Sequence, residues 1–195
     1  MAAVTSLVLG TRNPHKVREI ARLLEPAGIS VEPLPPQVEL PPEDGDSFSA
    51  NALPKARTAA AATGRPAIAD DSGIESEALG GAPGVRSARY AGVGASDGEN
   101  LAKLLHEAPA GSRLRYVCAL AYVDPQTGEE RVFCGYCRGR LATTPRGSGG
   151  FGYDPAFVPD AERDGRTMAE LSDSDKDAIS HRGEALRAFT GWLAR

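Results

Sequence analysis

The sequence predicts an α/β protein with a central mixed β-sheet flanked by helices. Over the first 70 residues, short apolar runs of strand length alternate with segments of helical periodicity. Two longer β-like stretches then follow one another across a short polar turn, which predicts an antiparallel hairpin. The last segment carries an apolar stripe at helical spacing, so the chain is expected to end in a helix packed on the sheet.

The first strand and helix have clear local signals. Val4–Leu9 is a short apolar run that predicts a buried strand. Asn13 and Pro14 then supply an N-cap and a first-turn proline, so a helix should begin there. Ile29–Leu34 is the second candidate strand.

A proline-rich, acidic loop is predicted next, at residues 35–46. Ser47 can cap the alanine-rich helix predicted over Phe48–Thr63, within which Pro54 is expected to cause a bend or a restart. Pro66–Ala69 is the third apolar strand. The order is therefore strand, helix, strand, helix, strand.

The second half of the chain supplies the hairpin and the closing elements. The predicted elements are a helix at Asn100–Leu105, hairpin strands at Arg113–Val123 and Glu130–Leu141, a short strand at Asp154–Val158, and a final helix with Leu186, Phe189 and Leu193 on one face. At 195 residues, the chain is expected to form a single domain over 1–195.

Composition excludes several classes of protein. A formal net charge of −4 gives no broad basic surface, so binding to a nucleic-acid polymer is not expected. No apolar run approaches the roughly 20 residues needed to cross a bilayer, and Met1–Gly10 lacks a signal-peptide pattern. We therefore expect a cytoplasmic protein without a membrane partner.

The three cysteines are expected to be reduced thiols. Cys134 and Cys137 have the spacing of redox and zinc sites. No second pair or nearby histidine completes a metal set, however, and the surrounding residues read as a strand.

The first candidate site is the turn that joins the first strand to the first helix. It consists of Thr11, Arg12, Asn13, Pro14, His15 and Lys16. Backbone N–H groups at a helix N-terminus suit phosphate, and Lys16 adds a full positive charge in the first helical turn. The structural alternative is a capped helix with a solvated lysine.

The second candidate site is Asp70-Asp71-Ser72-Gly73, placed at the carboxyl end of an apolar strand. Carboxylate oxygens suit magnesium, and a carboxylate beside a metal can take a proton from water. The alternative is an Asp-Ser-Gly turn closed by side-chain hydrogen bonds. Successive strand residues point to opposite faces, so only one carboxylate is expected to face a ligand.

Two further candidates lie near the end of the chain. The glycine-rich segment Gly147–Pro155 contains Phe151, Gly152, Tyr153 and Asp154, in which aromatic faces can stack on a nucleobase and a carboxylate can accept from base N–H groups. Lys176, His181 and Arg182 lie at the start of the last helix, another cationic terminus. The alternatives are a turn with core aromatics and a surface His-Arg pair, and nothing points to a Ser-His-Asp triad.

Together these segments resemble the inosine triphosphate pyrophosphatase family along nearly the whole chain. The matching motifs are Thr11-x-Asn13-x-x-Lys16, Asn51-Ala52-x-x-Lys55-Ala56, Ala69-Asp70-Asp71-Ser72-Gly73, Gly80-Gly81-Ala82-Pro83-Gly84, Ser87-Ala88-Arg89-Tyr90, Gly149-Gly150-Phe151-Gly152-Tyr153-Asp154-Pro155 and Ser180-His181-Arg182-Gly183. The resemblance implies two lobes around an active-site cleft, a homodimer, and Mg²⁺-dependent hydrolysis of non-standard purine nucleoside triphosphates (ITP, dITP and XTP) to the monophosphate and pyrophosphate.

The resemblance also implies a role for each matching residue. Asp71 is the proton acceptor and a magnesium ligand, Ser72 lies beside the substrate, and Glu43 is the nearest candidate for a second acidic ligand. The residues assigned to the triphosphate are Thr11 to Lys16, Lys55 and Lys176, and those assigned to the base are Phe151, Gly152, Tyr153, Asp154, His181 and Arg182. Arg182 is expected to read the oxygen at position 6 of the purine. Ala50 departs from the pattern, because many relatives carry glutamate there.

Two alternative functions remain open from sequence. One is a pyrophosphatase of broader or pyrimidine-type specificity. The other is a nucleotide-binding regulator without turnover, which the Asp70-Asp71 pair disfavours, because a pure binder gains nothing from carboxylates beside a triphosphate unless they hold a metal.

Overall fold

The computed structural model describes residues 5–195, so Val4 of the first predicted strand lies outside the described residues. The strands are β1 Ser6–Leu9, β2 Ser30–Pro33, β3 Ala67–Ser76, β4 Arg113–Asp124, β5 Glu129–Leu141 and β6 Phe157–Pro159. The helices are α1 Pro14–Leu24, α2 Phe48–Thr63, α3 Asp97–Glu107, α4 Asp173–Ile179 and α5 His181–Leu193.

The six strands form one mixed sheet in the order β2-β1-β3-β4-β5-β6. β1 is parallel to both β2 and β3, with Val8 opposite Ala67 and Leu9 opposite Ile68. β4 and β5 are neighbours joined by a turn in which Gly128 N donates to Asp124 O, and β6 is antiparallel to β5. The mixed α/β sheet flanked by helices is thus confirmed.

Local signals set the helix starts. Asn13 caps α1, its side chain accepting from the backbone N–H groups of His15 and Lys16, and Ser47 caps α2 in the same way at Ala50. Pro54 does not restart α2, which is one continuous helix. Its buried face includes Ala56, and this packing outweighs the hydrogen bond that the proline removes.

Three segments differ from the sequence-based predictions. The third strand, predicted to end at Ala69, continues to Ser76 as the ten-residue strand β3, so the turn considered as the alternative for Asp70–Gly73 does not form; pairing with neighbouring strands overrides the local turn propensity. The strand predicted at Asp154–Val158 begins only at Phe157, after a short 3₁₀ turn. α4 was not predicted, since it is seven residues long and carries no apolar periodicity.

The described chain divides into two compact units. The first comprises Met1–Asp71, described from residue 5, with Cys118–Gly135 and Arg182–Arg195. The second comprises Ser72–Val117 and Tyr136–His181. The single catalytic domain expected over 1–195 stays a prediction.

The first unit has a core between the sheet and helices α1 and α5. This core includes Leu7, Leu9, Ile20, Leu24, Ile68, Cys118, Leu120, Leu186 and Phe189. Residues that alternate with these on the strands, such as Val8 and Ala69, point to the opposite face, and α2 contributes buried alanines there. Successive residues of β3 therefore meet different helices.

The second unit has its own core. It includes Ile74, Leu101, Leu104, Leu114, Tyr116, Leu141, Tyr153, Phe157, Met168 and Leu171. The β4 residues Leu114 and Tyr116 point inward, whereas Arg113 and Arg115, which alternate with them along the strand, are exposed.

Within residues 5–195, no helix combines the length and the apolar character that a membrane crossing requires.

Candidate active site

The first unit joins three basic and four acidic side chains through ion pairs, hydrogen bonds and electrostatic proximity. They are Lys16, Lys55 and Arg182 with Glu19, Glu43, Asp70 and Asp71. Most of these groups are buried. Burial lowers the effective dielectric constant, so the charges interact strongly and each one depends on its partners.

The turn between β1 and α1 holds its polar groups in fixed positions. Asn13 accepts from His15 N at 2.9 Å and Lys16 N at 3.3 Å, and Asn13 N donates to Thr11 Oγ1 at 3.3 Å. Arg12 donates from Nη2 to the carbonyl oxygens of Pro35, Pro36 and Val38, so its guanidinium fastens the following loop. Among the predicted turn residues, Lys16 joins the cluster of charges through its ion pair with Asp70.

Asp70 is the most enclosed carboxylate of the cluster, with no exposed surface. Its Oδ2 lies 3.2 Å from Lys16 Nζ and accepts from Arg182 Nη2 at 3.0 Å. Burial raises the pKa of Asp70, but Lys16, Arg182 and Lys55 outweigh burial, and the pKa lies below its ordinary value. Asp70 is therefore ionised at neutral pH and serves as a counter-charge to Lys16 and Arg182.

Asp71 faces a different helix. Asn51 and Lys55 stand one helical turn apart on α2 and reach β3 together. Asn51 Nδ2 donates to Asp71 Oδ2 at 2.9 Å, and Lys55 Nζ donates to the backbone oxygen of Asp70 at 2.8 Å. Lys55 also pairs with Glu43, which comes from the loop before α2.

The pKa of Asp71 is shifted in the opposite direction from that of Asp70. Burial raises the pKa of Asp71 above its ordinary value, and the charge of Glu43 adds to this, while Lys55, Lys16 and the Asn51 hydrogen bond oppose it. A carboxylate with a raised pKa binds a proton more strongly. Of the two adjacent aspartates, Asp71 is the better proton acceptor.

Glu43 and Asp71 fit a hard divalent cation. Both offer carboxylate oxygens, and after burial, the main cause, the negative charge of Glu43 also raises the pKa of Asp71. Among residues 5–195 no group of three or more metal-ligating side chains is assembled. A magnesium ion held here would therefore take its other oxygens from water and from a phosphorylated ligand, as this ion commonly does.

Arg182 is buried inside the first unit, with 1% of its surface exposed. Its Nε and Nη2 donate to Asp70 at 3.3 and 3.0 Å, and its Nη1 donates to Glu19 of α1. The structure thus places this guanidinium between two carboxylates, although the sequence-based prediction assigned it to the base. No sequence signal indicated Glu19 or Asp70 as its partners, because Asp70 lies 112 residues away in the chain.

The second unit builds a separate arrangement around Asp154. This buried carboxylate accepts from Tyr116 Oη at 3.0 Å through Oδ1. Its Oδ2 accepts from Lys176 Nζ at 2.7 Å and from Phe151 N at 3.0 Å. Asp154 therefore holds the glycine-rich loop, α4 and β4 together, and Lys176 meets a carboxylate rather than standing as an isolated cation.

Glycines allow the loop to close on Asp154. Gly150 has a φ of +68°, and a Cβ at this position would lie 2.0 Å from Asp154 Oδ2, so no other residue fits. Gly152 N donates to Asp97 Oδ2 at 2.9 Å, and Tyr153 Oη donates to the Ser87 oxygen at 2.7 Å. The Tyr153 side chain is buried, whereas the Phe151 side chain is partly exposed.

His181 and Phe151 contribute flat faces in the second unit. The His181 ring stacks on the Tyr116 ring, with centroids 4.6 Å apart and planes 9° apart. Lys176 Nζ lies 5.3 Å from the Phe151 ring centroid. Ser72, on β3, is half-buried.

Sequence reasoning did not assign Asn51, Asp97 or Tyr116 to a site, and it gave no separate role to Asp70, which belongs to the second candidate site. Asn51 carries a usable signal, because its four-residue spacing from Lys55 places both on one helix face. Tyr116 carries none beyond the alternation of its strand.

The cysteines form no disulfide in the described chain. Cys134 and Cys137 lie on β5, as the strand pattern predicted. Burial, with Asp70 nearby, raises the pKa of Cys118 to about 12, so this thiol stays protonated and unreactive.

The fold and the charge cluster define an α/β protein in which the half-buried Lys16, the buried Lys55 and the paired carboxylates suit a phosphorylated ligand with a divalent cation. The chain belongs to the Ham1 family, whose model matches residues 7–192.

Similar proteins cover nearly the same length. A dITP/XTP pyrophosphatase from Symbiobacterium thermophilum is 51% identical over 92% of this chain and 90% of its own, and one from Yersinia pseudotuberculosis is 49% identical over 93% and 94%. The solved HAM1 protein of Coxiella burnetii aligns with a TM-score of 0.85 and 38% identity, covering 97% of this chain and 98% of its own. A nucleoside-triphosphatase / dITP/XTP pyrophosphatase structure from Mycobacterium abscessus aligns with a TM-score of 0.73 and 44% identity, covering 94% and 98%.

Proposed function

We propose that this chain hydrolyses the non-standard purine nucleoside triphosphates dITP, XTP and ITP to the monophosphate and pyrophosphate. Membership of the Ham1 family and relatives near 50% identity that bear the name dITP/XTP pyrophosphatase support the reaction class. The role would be to remove deaminated purine nucleotides from the cell's precursor pool, and a cytoplasmic location fits that role.

The observation that carries the proposal is the contrast between Asp70 and Asp71. Asp70 is neutralised by Lys16 and Arg182 and has a lowered pKa, whereas Asp71 has a raised pKa and a side chain held by Asn51. One carboxylate is thus committed to charge balance, and its neighbour is suited to proton transfer.

Asp71 is proposed to accept a proton from the attacking water. As the water oxygen bonds to the α-phosphorus, the bond from that phosphorus to the bridging oxygen breaks. Pyrophosphate then leaves with the bonding electron pair, and the water's proton goes to the Asp71 carboxylate. Lys16 and Lys55 are proposed to hold phosphate oxygens in line for this displacement, since both ammonium groups lie in the same cluster.

We propose Mg²⁺ as the cofactor, with Glu43 and Asp71 as its protein ligands. When bound, the ion supplies positive charge that stabilises the negative charge of the triphosphate and of the leaving pyrophosphate. Lys55 is proposed to hold this carboxylate in position, and its ion pair with Glu43 supports that role.

The base is proposed to bind to residues of the second unit. Phe151 offers a partly exposed aromatic face, and His181 is a second flat group assigned by the resemblance. Asp154 and Lys176 are proposed to shape this site from behind, because they are buried against each other. Arg182 is proposed to act through Asp70, since contacting a base would take its guanidinium away from two buried carboxylates.

The experiment is an assay of pyrophosphate release from ITP, dITP, XTP, GTP, ATP and dTTP, with Mg²⁺ and with a chelator. We expect release from the first three that requires Mg²⁺ and exceeds release from ATP by a large factor, because a polar mismatch in a buried site discriminates by about 10⁴-fold. Equal rates on ITP and ATP, or inorganic phosphate as the only product, would refute the proposal.

A homodimer is also proposed, on the resemblance to the family. Light scattering of the purified chain measures the mass directly. A mass equal to that of a single 20.4 kDa chain at micromolar concentration would refute it.

A further inference from the structure

Tyr116 links the segments that are proposed to surround the base. It projects inward from β4, and its hydroxyl donates to Asp154 Oδ1 at 3.0 Å. Its ring stacks on His181 and lies 4.5 Å, centroid to centroid, from Phe157 at the start of β6. One side chain thus contacts the turn after the glycine-rich loop, the start of α5 and a core strand.

The contacts of Asp154 show why this hydroxyl matters. Oδ2 already receives two donors, Lys176 Nζ and Phe151 N, while the donor at Oδ1 is the Tyr116 hydroxyl. Burial, followed by the charge of Asp154, raises the pKa of Tyr116 well above its ordinary value, so the phenol keeps its proton and remains a donor. Removing the hydroxyl would leave a buried carboxylate oxygen without this hydrogen bond.

Resting on the proposed function, we infer that Tyr116 is a positioning residue that sets base selectivity. Its hydroxyl fixes Asp154 and, through Asp154, the backbone of Phe151, while its ring fixes the plane of His181. The aromatic face and the imidazole are thereby held in one orientation before the purine binds. Such prior ordering lowers the cost of binding the correct base and raises the cost of adapting to a wrong one.

Tyr116→Phe tests the inference, because it removes the hydroxyl and keeps the ring. We expect KM for ITP to rise about tenfold, the lower bound for a hydrogen bond to a charged group, with kcat within about threefold of the original value. The ratio of kcat/KM for ITP to that for ATP should fall about tenfold as well. The matched control is Tyr122→Phe, on the same strand but packed against Phe189 and Trp192, which should change neither quantity.

The selectivity ratio is the decisive readout because it does not depend on the folded fraction of the sample. A purely structural role would lower both activities together and leave the ratio unchanged. On an Asp154→Asn background, Tyr116→Phe should raise KM by less than about threefold, since the hydroxyl no longer meets a charge. Equal effects on the two backgrounds would overturn the link through Asp154.

Binding of inosine and adenosine monophosphates, measured by calorimetry, separates this inference from the proposed function. If the wild-type chain released no pyrophosphate from ITP, the proposed function would fail, while the ratio of the two dissociation constants in Tyr116→Phe would still decide the role of Tyr116. A ratio within twofold of wild type, or no binding of inosine monophosphate by wild type, overturns the inference. A ratio reduced about tenfold supports it.

Discussion

Replacing each of the adjacent β3 residues Asp70 and Asp71 by asparagine should have different effects: Asp71→Asn should lose activity, whereas Asp70→Asn should lose stability. Asp71→Asn keeps the size of the side chain but removes its ability to take a proton, so kcat should fall by about 10²- to 10⁴-fold. Asn51 can still donate to the new amide oxygen, which preserves the local contact. Asp70→Asn instead removes the counter-charge of Lys16 and Arg182.

The expected stability changes follow from the directions of the two pKa shifts. The pKa of Asp71 is raised in the folded state, so the ionised carboxylate opposes folding. The protonated carboxyl stabilises the fold at low pH, and this stabilisation is lost as pH rises through the folded-state pKa. Asp71→Asn should therefore be as stable as wild type, or more stable, at about pH 7. The pKa of Asp70 is lowered, so its ionised form stabilises the fold above its ordinary pKa.

Removing one member of a buried ion pair costs about 3–5 kcal/mol, so Asp70→Asn should lose that much stability at about pH 7. In a chain of this size the loss corresponds to a melting temperature roughly 6–20 °C lower. The difference between wild type and Asp70→Asn should shrink as pH falls towards the folded-state pKa of Asp70, because wild type then loses the same charge.

The measurements are pyrophosphate release by both variants at about pH 7, and urea unfolding of both variants from about pH 7 down towards the folded-state pKa of Asp70. Asp71→Asn activity within about threefold of wild type would remove Asp71 from proton transfer. An Asp70→Asn variant as stable as wild type, or an Asp71→Asn variant destabilised by more than about 2 kcal/mol, would contradict the division of roles.

Three further variants test the roles of Lys55 and Arg182 and of the cysteine pair on β5. Lys55→Ala should raise KM for ITP at least about tenfold, because a charged donor to the phosphates is lost. It should also move the acid limb of the kcat/KM profile to higher pH, because Lys55 lowers the pKa of Asp71. The control Lys103→Ala, on α3, should change neither quantity. Arg182→Ala should lower the free energy of unfolding in urea by about 3–5 kcal/mol, because two carboxylates lose their buried partner. Stability within about 1 kcal/mol of wild type would show that the pairing is unimportant. The Cys134→Ser and Cys137→Ser double variant should keep full activity in reducing and oxidising buffer, and a loss that follows oxidation would reveal a redox role.

The sequence by itself determined the elements whose signals are local. A short stretch of sequence is enough to predict the N-caps Asn13 and Ser47 and the turn between β4 and β5, because each depends on neighbouring backbone groups. The resemblance identified the residues that would carry the reaction, because they recur in the same order along the chain. The α/β class followed from the alternation of apolar runs and helical segments.

Only the tertiary structure decided which charges pair. Asp70 and Asp71 are neighbours in sequence, and alternation predicts only that they point to opposite faces. The fold directs Asp70 to α1 and α5 and Asp71 to α2. Strand pairing also kept Asp70–Gly73 extended against its local preference for a turn. Arg182 pairs with Asp70, 112 residues away, and with Glu19, 163 residues away, while Tyr116 donates to Asp154, 38 residues away. In a buried site, the partner that a charged or polar group meets decides its role.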